Sequence, residues 1–352
     1  MRFGLFSLFS QPNMGVPQRD VYRNGFDLCR RADWAGFDCL WVAEHHFSNF
    51  GLASAPLVLA LEIAHRTERA RVGVAVLVLP FYAPVRLAEE VAMVDVLSGG
   101  RLNIGIGRGY QAYEFDRFGV PIDQARERFE EVHDVLIKAW QETVFAYQGE
   151  HVAIPPTTVF PRPVQQPHPP LWVAGASAET IDFAAKHGYN LFTVAGMGPL
   201  SAVERGRDLF WEALARHGRR PGSAVLGAQR TILVTRDRGE ADAAIDDALY
   251  QYRLSRRYRT NTVEVVDGFA RPTPFPDEPT HEEARGQLIW GSPAECIEQI
   301  ERHREVGVSY LNLMFNVGGL THEQSLRSFD LFVERVMPHF VQVEQREPAA
   351  VG

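Results

Sequence analysis

Eight apolar runs, each followed by a stretch with helical spacing, succeed one another along the chain, and this cadence constrains the fold more than any single motif. The clearest run is RVGVAVLVL, Arg71–Leu79, which is β-branched and apolar on both faces, as in a parallel strand covered by helices. The strands read as β1 Arg2–Phe9, β2 Phe37–Ala43, β3 Arg71–Leu79, β4 Leu102–Gly107, β5 Leu171–Ala174, β6 Tyr189–Val194, β7 Ala224–Thr235 and β8 Tyr310–Phe315. Helices are expected between them, among them Asp20–Trp34, Pro56–Arg66, Pro84–Leu97, Ile122–Trp140, Ser177–His187, Leu200–His217, Gly239–Tyr258, Pro293–Val306 and His322–Val336. Eight strands, a strand first and a helix last, is the arithmetic of an α/β (β/α)8 TIM barrel; a doubly wound sheet would need fewer strands.

The 352 residues exceed the ~250 of a plain barrel. The surplus falls in two excursions, 111–170 and 260–284, expected as insertions at the catalytic face of one catalytic domain spanning 1–340, with 341–352 a flexible tail. Gln111–Pro121 shows no clean period, and five prolines between Phe160 and Pro170 exclude a regular element there.

Composition excludes several function classes. Lys and Arg number 36 against 44 Asp and Glu, a formal charge of −8, which argues against an electrostatic hold on nucleic acid or an anionic membrane. Cys29, Cys39 and Cys296 form neither a disulfide framework nor a zinc cluster, which suits a reducing compartment. The most apolar stretch, Val72–Val85, contains Pro80 and Pro84 and is too short to span a bilayer. With no targeting signal read, a cytoplasmic protein is expected.

In a barrel, chemistry sits where strands end. β2 runs into Glu44-His45-His46-Phe47, two imidazoles able to move protons near neutral pH; neither HExxH nor a second ligand cluster supports a metal, so no metal site is expected. Either ring could equally serve as a surface or supporting group. β4 runs into GIGRG, whose G-x-G-x-G spacing is not a dinucleotide fingerprint; its glycines keep the backbone bare, and Arg108 offers a fork of donors or is an ordinary surface residue. β5 runs into Gly175-Ala176-Ser177, where Ser177 can cap the next helix with Thr180 three residues on, an anion seat or an ordinary helix start. Phe47, Phe50, Phe81, Tyr82, Tyr110, Tyr113 and Phe115 fall at the same end, either lining a pocket for a flat ring or packing as a loop layer.

The blocks MRFGLFSLFSQP, GFDCLWVAEHHFSNFGLASAP, VGVAVLVLPFYAPVRLAEEVAMVDVLSGGRLNIGIGRGYQAYEFDRFG, LWVAGASAETIDFAAKHG and GSPAECIEQIERHREVGVSYLNLMFNVGG, in that order, resemble the bacterial luciferase-like flavin-dependent monooxygenases, in particular the luciferase alpha-type catalytic chain. The resemblance covers most of the chain and is weak across 141–170 and 195–285.

The resemblance implies a TIM barrel that uses reduced FMN, delivered by a separate NAD(P)H-dependent flavin reductase, and O2, through a C4a-peroxyflavin, to oxygenate a small, fairly apolar organic substrate. It implies His45 as the catalytic histidine, Glu44 beside the flavin, and Arg108, Ser177 and Thr180 at its phosphate. It places Ala75 and Val76 at a non-proline cis peptide beneath the ring. Gly107 stands where the light-emitting enzymes carry a reactive cysteine, leaving room beside the flavin and pointing to a non-bioluminescent member. Ala176 replaces a glutamate beside the phosphate. A homodimer is implied as well. The alternatives are a deazaflavin-dependent oxidoreductase of the same fold, a non-catalytic flavin-binding protein and a metal-dependent barrel hydrolase.

Overall fold

The computed structural model describes residues 1–193 and 196–341. The observed strands are β1 Arg2–Ser7, β2 Cys39–Val42, β3 Arg71–Val78, β4 Leu102–Gly107, β5 Leu171–Ala174, β6 Asn190–Phe192, β7 Leu226–Val234 and β8 Tyr310–Met314. They pair in parallel and in chain order, and β8 returns to β1 through Arg2↔Tyr310 to Leu5↔Leu313, closing the eight-stranded barrel. A short extra strand, Ile289–Gly291, extends the far half of β7. The expected end of β6 at Val194, the following Ala195 and the tail from 342 onward lie outside the described residues.

The barrel's helices are α1 Gln18–Ala35, α2 Pro56–Arg66, α3 Pro84–Leu97, α4 Ala125–Gln141, α5 Ala178–His187, α6 Leu200–Arg216, α7 Pro293–Glu305 and α8 His322–Arg335. Pro starts α2, α3 and α7, where its missing N–H costs nothing, and glycine in the left-handed conformation ends α1 and α5. Between barrel and helices lies the main core, with Leu5, Val42, Val74, Ile104, Ile232 and Leu313 fully buried.

The inside of the barrel is a second, aromatic core of Trp41, Trp172, Phe192 and Tyr310. Glycines opposite make room for it. A Cβ at Gly73 would run into the Trp41 ring, and one at Gly227 would lie 2.8 Å from Phe192. The barrel is thus filled below its centre, while Phe6, Ala75 and Ala174, toward the end where the strands finish, are half-buried or exposed.

Three expectations need correction. Gln111–Pro121 contains a helix, Ala112–Phe118, built on Phe115 and Phe118 and stopped by Gly119 at φ 67°. The helix expected over Gly239–Tyr258 is two, Arg238–Ala243 and Ile245–Arg259. Of the first excursion, only the part before α4 reaches the catalytic face. Residues 145–157 form a hairpin whose turn is held by Glu131 on α4, its carboxylate accepting the N–H groups of Glu150, His151 and Val152. The Pro-rich segment after it lies at the opposite end, where Gln165 bonds Leu102 O at the start of β4 and Arg162 bonds Trp140 O at the end of α4. The reason is direction: α4 runs antiparallel to the strands, so whatever follows it starts at the closed end.

The second excursion does cover the mouth. Its strand pair Val265–Val266 and Phe269–Ala270 docks on the loop after β2 through Asn49, which donates its N–H to Gly268 O at 2.7 Å and accepts the Ala270 N–H at 2.9 Å. The same side chain donates to Gln11 O at 2.8 Å, in the loop after β1. Arg253, on the helix Ile245–Arg259, grips Glu278 with two bonds of 2.9 and 2.6 Å, fastening the rest of the excursion.

Candidate active site at the barrel mouth

Past β2 the chain turns at Phe47, whose φ of 61° is uncommon for a bulky residue, and His45 and His46 point different ways. His46 is buried, its Nε2 2.9 Å from Glu44 Oε1 and its ring edge-on to Phe118. Glu44 spends its other oxygen on the Val78 N–H at 2.8 Å, so it ties the end of β2 to the end of β3. Burial pushes the Glu44 carboxyl above its ordinary range, with His46, the Val78 N–H and Tyr82 pulling the other way.

His45 keeps 11% of its side chain exposed. Its Nδ1 lies 3.0 Å from Gln111 Nε2 and 3.4 Å from Glu114 Oε1, and its ring stands edge-on to Phe50. With Gln111 donating, Nδ1 is the acceptor and the ring proton sits on Nε2. Glu114 is buried and also accepts the His46 N–H at 2.8 Å.

Beside this pair, β3 bulges. Its register against β4 slips between Val74 and Leu77, and the Ala75–Val76 peptide is cis, as the resemblance implies. These two are the half-buried residues in the second half of an otherwise buried stretch. β4 presses against them: a Cβ at Gly105 would strike the Val74 carbonyl, and one at Gly107 would sit 2.6 Å from Val76 Cγ2. The space expected beside Gly107 is therefore filled by Val76.

At the start of α5, Ser177 caps the helix: its Oγ accepts the Thr180 N–H at 3.3 Å and bonds Thr180 Oγ1 at 3.0 Å. The segment through Ala176 to Glu179 is exposed. The Glu179 carboxyl is held below its usual range first by its own backbone N–H and the Ser177 hydroxyl, and less by the charges of Arg126 and Arg108. Arg108 is exposed at the end of β4.

The luciferase-like monooxygenase family model matches residues 1–310. The chain belongs to the luciferase-like monooxygenase family. It is 29% identical over 350 residues to the oxygenase component of the flavin-dependent trigonelline monooxygenase of Acinetobacter baylyi, covering 97% of this chain and 96% of that one. It is 27% identical to the alkanal monooxygenase alpha chain of Photobacterium leiognathi, covering 94% of this chain and 97% of the relative. Monooxygenase RslO1 from Streptomyces bottropensis superposes with a TM-score of 0.84 at 25% identity, covering 97% of this chain and 100% of the other. This luciferase-like protein is a flavin-dependent monooxygenase that uses FMN and O2.

The residues of this family member fit such a cofactor: the half-buried Ala75–Val76 step is a surface on which a flat ring could rest, and the exposed, Ser177-capped helix start is one that a phosphate could occupy. The structure brings together Glu44, His45, Ala75, Val76 and Gly107 around the mouth, and Arg108, Ala176, Ser177 and Thr180 at its side. Sequence reasoning missed Glu114, which a Gly-terminated turn with Phe at positions 115 and 118 would have indicated, and Arg126, which carries no local signal.

The aromatic residues mostly pack on one another. Phe81 stacks on Phe118 at 4.6 Å, and Phe118 lies 5.0 Å from Phe47. Phe50 and Tyr113 pack on Tyr258, whose hydroxyl donates to Ser48 Oγ at 2.5 Å. Tyr110 stays 42% exposed at the mouth. Among the described residues no helix is long and apolar enough to cross a membrane.

Proposed function

We propose that the mouth binds FMN with its phosphate at the start of α5, on Ser177, Thr180 and Arg108 beside Ala176, and its ring over the Ala75–Val76 step beside Gly107. When bound, the reduced flavin supplies the two electrons and activates O2. His45 is the acid–base group, holding a proton at Nε2 and gaining a second at Nδ1 against Glu114. Glu44 is a positioning residue that acts through His46 and the end of β3. The strand pair Val265–Ala270 and the helix Ile245–Arg259 exclude water over the site. The observation that carries this reading is the convergence of the His45–Glu114 pair and the half-open Ala75–Val76 step at the end of the barrel where the strands finish.

The wider reading is a cytoplasmic, single-domain enzyme acting on a small, fairly apolar substrate, fed by a separate NAD(P)H-dependent flavin reductase and working as a homodimer. Support for the dimer is an apolar strip on α2 and α3, where Val58 is 66%, Met93 45%, Val96 40% and Leu97 50% exposed.

The decisive experiment compares native protein with His45→Ala. The variant binds FMN with unchanged affinity by fluorescence titration, yet its yield of oxygenated product per flavin falls about 100-fold and hydrogen peroxide takes its place. Native coupling in His45→Ala refutes the assignment.

A further inference from the structure

The inward side chains of a barrel stack in layers contributed by alternate strands. Following the registers around this barrel, Trp41, Gly105, Phe192 and Asn312 make one layer, and all four are buried. The next layer toward the mouth takes Phe6 from β1, Ala75 from β3, Ala174 from β5 and Gln229 from β7. Phe6 and Ala75 are half-buried and Ala174 is exposed, so this layer is the floor of the mouth.

Gln229 is the polar member of that floor and is only 6% exposed. Its Oε1 accepts the N–H of Gly196, in the loop after β6. A backbone N–H can only donate, so the amide's orientation is fixed and Nε2 is the atom left over. Nε2 is buried and has no partner among the described residues. Such an orphaned donor is costly and rare unless something absent from the free chain completes it. No charged side chain shares the layer, and above it Ala43 and Met314 add only apolar surface.

We propose that Gln229 Nε2 donates to a carbonyl oxygen of the organic substrate, so that the enzyme takes carbonyl compounds with an apolar body and discriminates against bare hydrocarbons. The inference rests on the flavin-site reading above. Apolar walls hold the body by shape alone; one directed N–H sets which end of the substrate enters first.

The test uses Gln229→Glu and Gln229→Met. The first keeps an oxygen for the Gly196 N–H and turns the free donor into an acceptor; the second removes both and introduces no charge. Each is checked by thermal melting and by FMN affinity, then given matched pairs with FMN bound: a cyclic ketone against its parent hydrocarbon, and a medium-chain aldehyde against the alkane, with binding read by calorimetry. In the native protein at least one carbonyl member binds about tenfold more tightly than its hydrocarbon. In both variants that advantage disappears while FMN affinity is unchanged. An advantage that survives in Gln229→Met overturns the proposal, as does equal binding within every pair or no binding of any member. Loss of FMN affinity in the variants also overturns it, by placing Nε2 on the flavin's own carbonyl edge. If native protein fails to bind FMN, it is the flavin-site reading that falls.

Discussion

Gly107 and Val76 act as a unit. The glycine has no room for a side chain because the valine's methyl group occupies it, with 2.6 Å between Val76 Cγ2 and the position a Cβ would take. Gly107→Cys, the residue type that the resemblance places there in the light-emitting enzymes, therefore overpacks a site that gives only if Val76 moves. It is expected to destabilise the protein by ~1–3 kcal/mol in chemical denaturation, and Val76→Ala on the same chain is expected to restore most of the loss. A Gly107→Cys protein as stable as the native one counts against this coupling. At this scale the sequence is most legible where a strand ends in a residue type able to do chemistry. His45 and Arg108 could be singled out from strand ends alone. Val76 could not be linked to Gly107, because the pairing depends on a bulge that shifts the β3–β4 register.

Elements are joined by a few carboxylates whose oxygens are spent on backbone N–H groups. Asp33, near the end of α1, accepts three of them, from Glu68 at 3.0 Å, Arg69 at 3.0 Å and Ala70 at 2.6 Å, and so fixes the approach to β3. Burial alone would raise its pKa; the three N–H bonds and Arg101 outweigh it, and the net shift is downward. A carboxyl whose folded pKa is depressed stabilises above its unfolded pKa and loses that contribution as pH falls through the folded value. Asp33→Asn should thus cost ~2 kcal/mol at neutral pH and flatten the acid limb of the stability curve; an unchanged acid limb sinks the idea. The same scale shows where reading the sequence stops. Eight strands and their helices were visible because hydrophobic period and Gly or Pro punctuation agree for each. The seven-residue helix Ala112–Phe118 is too short to set up a period, and its contribution to the site, Glu114, is defined by what it reaches in space. The two-stranded pieces at 145–157 and 265–270 are edge structures whose partners, Glu131 and Asn49, lie far away in sequence.

For the whole molecule, a net charge of −8 coexists with two arginines, Arg108 and Arg126, whose positive charge helps to lower the Glu179 carboxyl at the start of α5. The apolar strip lies elsewhere on the exterior, on α2 and α3. If that strip joins two copies, replacing Val96 and Leu97 together by Asp should convert a dimer to a monomer by light scattering without unfolding the barrel, since both residues are at least 40% exposed. A native protein that is monomeric, or a doubly substituted one that stays dimeric, excludes this face.

The plugged interior has a consequence for how such an enzyme can change its diet. Trp41 fits because Gly73 is bare, and Phe192 fits because Gly227 is bare. Deepening the cavity would take a large-to-small exchange that leaves a void in the barrel, and no single enlargement of a facing glycine could refill it in the same shape. Depth is therefore inherited as a fixed dimension. New substrates are reached through the residues of the open layer and the segments stitched over it by Asn49, which can vary one at a time while the machinery below stays as it is.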